Sequence, residues 1–105
     1  MLVFLGHVDV VPTGPENEWE HDPFSGYDDG TFINGRGTGD MKGGIACFMS
    51  ALSRIDVDSL NYSIGFLITA DEEGPSKDGT VKVVEELLQR NEKIDYCLIG
   101  EPSTL

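Results

Sequence analysis

The chain has 105 residues, 39% hydrophobic and 25% charged, the range of one modest globular domain and too short to bury the core of a large enzyme. Nineteen Asp and Glu against seven Lys and Arg give a net charge of -12, which repels phosphate backbones and anionic membranes and argues against nucleic-acid or membrane partners. No apolar run approaches a bilayer span, and the apolar start lacks the basic flank and cleavage site of a signal peptide, so a cytoplasmic protein is expected.

In chain order, the first element is the apolar run 2–5 (LVFL), which reads as a strand covered on both faces. His7 and Asp9 follow it. Two residues apart, they project to the same side of extended backbone, and a carboxylate there can steer an imidazole. In isolation this pair reads as a polar strand end.

The segment from Pro12 to Gly39 is rich in Gly, Pro, Asp and Asn, and a loop of that length inside a compact domain is usually functional. Within it, Thr31-Phe32-Ile33 after the turn signal Asp29-Gly30 predicts a small hairpin strand. The loop ends in GRGTGDMKGG (residues 35–44). A phosphate-cradling turn is the rival reading, but no strong buried strand leads into it and no GK[ST] follows. Asp40 would also set negative charge where phosphate should sit, so the stretch is read as a backbone-shaping loop that delivers Asp40.

From about Met41, Ile45, Phe48, Met49, Leu52 and Ile55 recur at helical spacing. The run 64–69 (IGFLIT) predicts a second strand, and Asp71-Glu72-Glu73 follow it after Ala70. Three adjacent carboxylates repel one another unless a cation or a proton relieves them; a solvated acidic turn and a metal-facing one are equally compatible with the triplet. Val81, Val84, Leu87 and Leu88 predict a second helix, and 96–99 (YCLI) a third strand, followed by Glu101 between Gly100 and Pro102. Cys47 and Cys97 lie far apart in apolar stretches and are expected to be buried, reduced thiols.

Strands alternating with helices predict an α/β fold with a central, mostly parallel sheet flanked by helices. In such sheets ligands bind beyond the carboxyl ends of the strands, where His7, Asp9, Glu72, Glu73 and Glu101 all fall. One imidazole with several carboxylates suits Zn, Mn or Co rather than a thiolate-bound structural zinc. Three strands with two helices cover little of a parallel sheet, so the domain looks incomplete.

The segments GHVDVVP, the PF of residues 23–24, GRGTGDMKGG, TADEEG and GEPS together resemble the two-zinc deacylase and carboxypeptidase family over the whole chain. The resemblance implies two divalent metals, zinc first, with cobalt or manganese accepted. His7 and Glu101 would bind one metal, Glu73 the second, and Asp40 would bridge both and precede a cis peptide to Met41. Asp9 would support the ligands, and Glu72 would be the general base. The implied reaction is hydrolysis of an amide bond in a small N-acylated amino acid. TADEEG followed by KDGT and VKVVE points to the branch that removes a succinyl group from a diamino dicarboxylic acid, with an acetyl-removing branch, a related metallo-aminoacylase or carboxypeptidase, or a non-catalytic metal-binding remnant as alternatives.

The same resemblance implies that residues 1–105 are part of a metallohydrolase catalytic domain. A lid and dimerisation domain that forms a homodimer, and a later segment supplying a further histidine to the second metal, would lie elsewhere. The chain by itself is then expected to be inactive, with exposed apolar surface. His21, the other histidine, is expected to pack in its loop or face solvent.

Overall fold

The computed structural model describes residues 1–103. In chain order its elements are β1 (Leu2–His7), the short pair β2 (Tyr27–Asp28) and β3 (Ile33–Asn34), α1 (Gly43–Leu52), β4 (Ile64–Thr69), α2 (Thr80–Gln89) and β5 (Tyr96–Ile99). β1, β4 and β5 form one sheet in the order β4-β1-β5, with both neighbours parallel to β1. The apolar runs therefore became the strands, and β1 continues two residues beyond its run, keeping Gly6 and His7 in register with Ile68 and Thr69.

Alternation along β1 sorts its side chains between two layers. Phe4 stacks on Phe48 of α1 with ring centroids 4.4 Å apart, and Phe48 meets Phe66 of β4 edge-on at 5.1 Å. Gly6, on the same face as Phe4, lies against Met41 and Ile45. On the opposite face, Val3 and Leu67 share a cavity with Val83 and Leu87 of α2. The two helices thus cover opposite faces, as expected when parallel strands are joined by helical crossovers.

The buried apolar residues are Val3, Phe4, Met41 and Leu67, so the core is centred on β1 and the strand beside it. β5 is exposed along its length. Cys47 and Cys97 are unpaired, but both are exposed, which corrects the expectation that they are buried. Cys97 lies opposite Val3 in the register, on the face where α2 packs over β4 and leaves β5 open. An apolar strand signals that it can be covered; burial requires a layer above that particular strand. The expected exposed apolar surface is present, with Phe24, Leu88 and Tyr96 each more than two-thirds accessible at 67%, 69% and 74%.

α1 is shorter than its apolar periodicity predicts. Asp40 and Met41 have non-helical backbone angles, so the regular helix begins only at Gly43, and Ile55 lies beyond its end. The hairpin is also displaced: Ile33 pairs with Asp28 and Asn34 with Tyr27. Thr31 and Phe32 fall in the turn because the Asp29 carboxylate accepts both their N–H groups at 2.8 Å. Such side-chain acceptors compete with the ladder for backbone donors.

Arg36 organises the long loop before α1. Its Nη2 donates to the carbonyls of Pro12 and Thr13 at 3.3 and 3.5 Å, and its guanidinium lies 5.2 Å from the centre of the Trp19 ring. Trp19 Nε1 donates to the same Thr13 carbonyl at 3.0 Å. Among the described residues no helix is long and apolar enough to cross a membrane.

Candidate metal centre

The carboxyl ends of the three parallel strands deliver the candidate residues to one edge. β1 ends at His7, β4 is followed by Asp71-Glu72-Glu73, and β5 by Gly100 and Glu101. Asp40 arrives from the irregular turn before α1, with the peptide to Met41 in the cis form that the family resemblance implies.

His7 is buried, with 1% of its surface accessible. Alternate residues of β1 direct their backbone groups toward β5, and Leu5 still meets Gly100 there, its carbonyl accepting the Gly100 N–H at 3.4 Å. β5 has ended by the level of His7. The Met41 sulfur accepts the His7 N–H instead, at 3.3 Å, so the residue after Asp40 completes the strand's hydrogen bonding.

The imidazole has two distinct sides. Nδ1 lies 2.9 Å from the Asp9 carbonyl oxygen, which can only accept, so Nδ1 carries the proton. Nε2, on the other side of the ring, faces Asp40 Oδ1 and Glu101 Oε1, both at 3.2 Å, and Glu72 Oε2 at 3.6 Å. Steering of the ring by the Asp9 carboxylate, expected from the spacing, is secondary: Oδ1 stands 3.4 Å from Nδ1, farther than the carbonyl. Asp9 Oδ2 instead accepts the Glu73 N–H at 3.0 Å and ties the end of β1 to the acidic turn after β4.

Close backbone packing brings Glu101 into this group. A Cβ on Gly44 would stand 2.8 Å from the Gly100 carbonyl oxygen, and one on Gly100 would stand 2.6 Å from Phe4 Cζ. The start of α1 therefore abuts the end of β5, a contact that side chains at either position would push apart. The sequence marks Gly100 and the Gly43-Gly44 pair as turn and loop glycines; their mutual approach, and the Met41 sulfur at the His7 N–H, depend on how α1 meets the sheet.

Charge accumulates here without a basic partner. Among the described residues, the Lys and Arg side-chain ion pairs involve Glu85, Glu86 and Asp95, all away from the cluster. Burial disfavours the protonated imidazole of His7, but the Asp9 carbonyl and the carboxylates of Glu101, Glu72 and Asp40 outweigh it and raise its pKa above the ordinary value. The Glu101 pKa is also raised, first by burial and then by the charges of Asp40 and Glu72, with His7 opposing. For Asp9, burial is outweighed by the amides of Glu73 and Glu72, its own N–H and His7, and its carboxyl stays below the usual range.

Two sets of potential ligand atoms form, His7 with Asp40 and Glu101, and His7 with Glu72 and Glu73, each set within 4.8 Å. Both depend on His7, and with Nδ1 committed to Asp9 only Nε2 can serve, so the two sets cannot be filled by that imidazole at once. One imidazole nitrogen ringed by carboxylates, with no Lys or Arg ion-paired to them among the described residues, fits a divalent cation of N/O preference. His21 joins neither set; it stacks on Tyr27 at 3.6 Å, the loop-packing role expected of it. Asp71 also stays outside both.

The profile of Peptidase family M20/M25/M40 matches residues 3–105. The succinyl-diaminopimelate desuccinylase of Marinobacter nauticus is 56% identical across 99% of this chain and 28% of that protein. Desuccinylases of Hydrogenovibrio crunogenus and Hahella chejuensis are 57% and 53% identical with the same coverage. The chain spans about 28% of the length of these curated relatives.

Proposed function

The chain belongs to peptidase family M20/M25/M40, and from that premise we propose that the whole protein hydrolyses the amide bond of N-succinyl-diaminopimelate, releasing succinate and diaminopimelate. The observation that carries the reaction type is the convergence of Asp40, Glu101 and Glu72 on the Nε2 of a buried His7. The substrate rests on the 53–57% identity to proteins named as desuccinylases. Residues 1–105 are read as part of the catalytic domain.

His7, Asp40 and Glu101 would hold one divalent ion, and Glu73 would contribute to a second position shared through Asp40. Zinc suits the donors best, with cobalt or manganese accepted. Such ions supply Lewis acidity to the scissile carbonyl and acidify water. The rest falls to the chain's own groups. Asp9 keeps the proton on Nδ1, so the imidazole presents a lone pair at Nε2. Glu72, half exposed at the rim and kept free of the ions, takes the proton of the attacking water and returns it to the leaving amine.

The test is a comparison of zinc-loaded whole protein on N-succinyl-diaminopimelate and N-acetylornithine. Faster hydrolysis of the succinyl substrate is expected. The reverse preference would overturn the substrate, and hydrolysis of neither would overturn the reaction.

A further inference from the structure

Three adjacent carboxylates follow β4, yet only Glu72 and Glu73 approach His7. Asp71 has φ 62, in the left-handed region that Asp and Asn tolerate better than other side-chain-bearing residues. Its Oδ2 accepts the N–H groups of Lys77 and Asp78 at 2.7 and 3.0 Å, so one carboxylate at the root of the β4–α2 loop binds the loop's far end. The loop is tight at both sides of this contact. A Cβ on Gly74 would stand 2.8 Å from Asp71 Oδ1, and one on Gly79 would stand 2.5 Å from the Ala70 carbonyl oxygen. Within the loop, Ser76 Oγ donates to the Glu72 carbonyl at 3.0 Å, and the Glu73 N–H is held by Asp9 at 3.0 Å.

We propose that Asp71 is a positioning residue whose carboxylate closes this loop and thereby holds Glu72 and Glu73 at the metal centre. The inference rests on the two-metal reading above. The first donor set, His7, Asp40 and Glu101, is built from β1, the turn before α1 and the residue after β5, and no part of it passes through the loop. Loss of the Asp71 oxygens frees the amides of Lys77 and Asp78, lets the loop reopen, and moves Glu73 away from the second metal while the first keeps its ligands.

Two substitutions separate the hydrogen bonds from the backbone conformation. Asp71→Gly keeps the left-handed angle without strain and removes the acceptor. Asp71→Asn tolerates the angle and retains an acceptor oxygen. Metal-free whole protein is titrated with zinc by calorimetry, and kcat and KM are measured on the loaded enzyme. Asp71→Gly is expected to weaken one of two zinc sites by about 10–100-fold, the scale seen when a group supporting metal ligands is lost, with the other site unchanged. The kcat should fall more than KM changes, and Asp71→Asn should restore both zinc sites. Equal weakening of both sites, wild-type binding in Asp71→Gly, or no rescue by Asp71→Asn would each overturn the inference. Wild-type protein that failed to bind two zinc ions would overturn the underlying reading instead, and the unsubstituted enzyme alone reveals that outcome.

Discussion

His7 Nε2 lies 3.2 Å from Asp40 Oδ1, although 33 positions separate the two residues. The pair joins the end of β1 to the turn before α1, and Met41 repeats the link by accepting the His7 backbone N–H. An ion bound between them therefore holds two separate segments of the fold together. At a free concentration of one hundred times its Kd, a ligand of the native state adds about 2.7 kcal/mol of stability. Zinc is expected to raise the Tm of the metal-free whole protein and a chelator to reverse the gain, whereas mononucleotides should leave it unchanged. A thermal-shift series measures all three.

The pH dependence of the metal-free state follows from the raised pKa values of His7 and Glu101. In each case the folded protein holds the proton more tightly than the unfolded chain. The stabilisation is therefore fully present below the ordinary value of the group and is lost as pH rises through the raised one. Stability contributed by Glu101 should begin to fall above its ordinary 4.5, and that from His7 above its ordinary 6.5. Zinc competes with the same protons, so its affinity should increase over this range with proton release on binding. Denaturant unfolding and zinc titration at several pH values check both directions.

Gly100→Ala should damage the core and the site together. Its Cβ would press on Phe4 and Met41, and overpacking of this kind costs about 1–3 kcal/mol. Relief requires β5 to move away from α1, which carries Glu101 from Asp40. A lower Tm accompanied by weaker binding of the first zinc is the expected result, and a lower Tm with unchanged zinc affinity would separate packing from ligand placement.

Glu72→Gln keeps the shape of the side chain and removes its capacity to accept a proton. If Glu72 is the base, both metals should remain bound while kcat falls by about 10²–10⁴-fold. Full activity in this variant would end that assignment. Metal content by elemental analysis, measured beside turnover, makes the distinction.

Phe4→Ala tests the small core directly. Phe4 is 3% accessible and stacks on Phe48, so its loss removes an aromatic contact between β1 and α1. Truncation of a buried aromatic costs about 3–5 kcal/mol. Urea unfolding of the whole protein should show an unfolding free energy lower by that amount, read as a lower midpoint with the slope unchanged.

The sequence by itself determined the plan of this protein. Apolar runs at 2–5, 64–69 and 96–99 specified parallel strands, and the acids and histidine after these runs marked a candidate site at their carboxyl edge. Those features are local, because side-chain alternation and strand-end position are properties of a few neighbouring residues. The tertiary structure decided what required distances between remote segments. It set the Asp9 carbonyl closest to Nδ1, left Cys97 exposed on an uncovered strand, and separated Asp71 from the two glutamates beside it. It also assigned glycines 44 and 100 their purpose, since only the approach of α1 to the end of β5 leaves no room for a side chain there. Periodicity states which faces can be covered; packing determines which layer covers them and which polar atoms then meet.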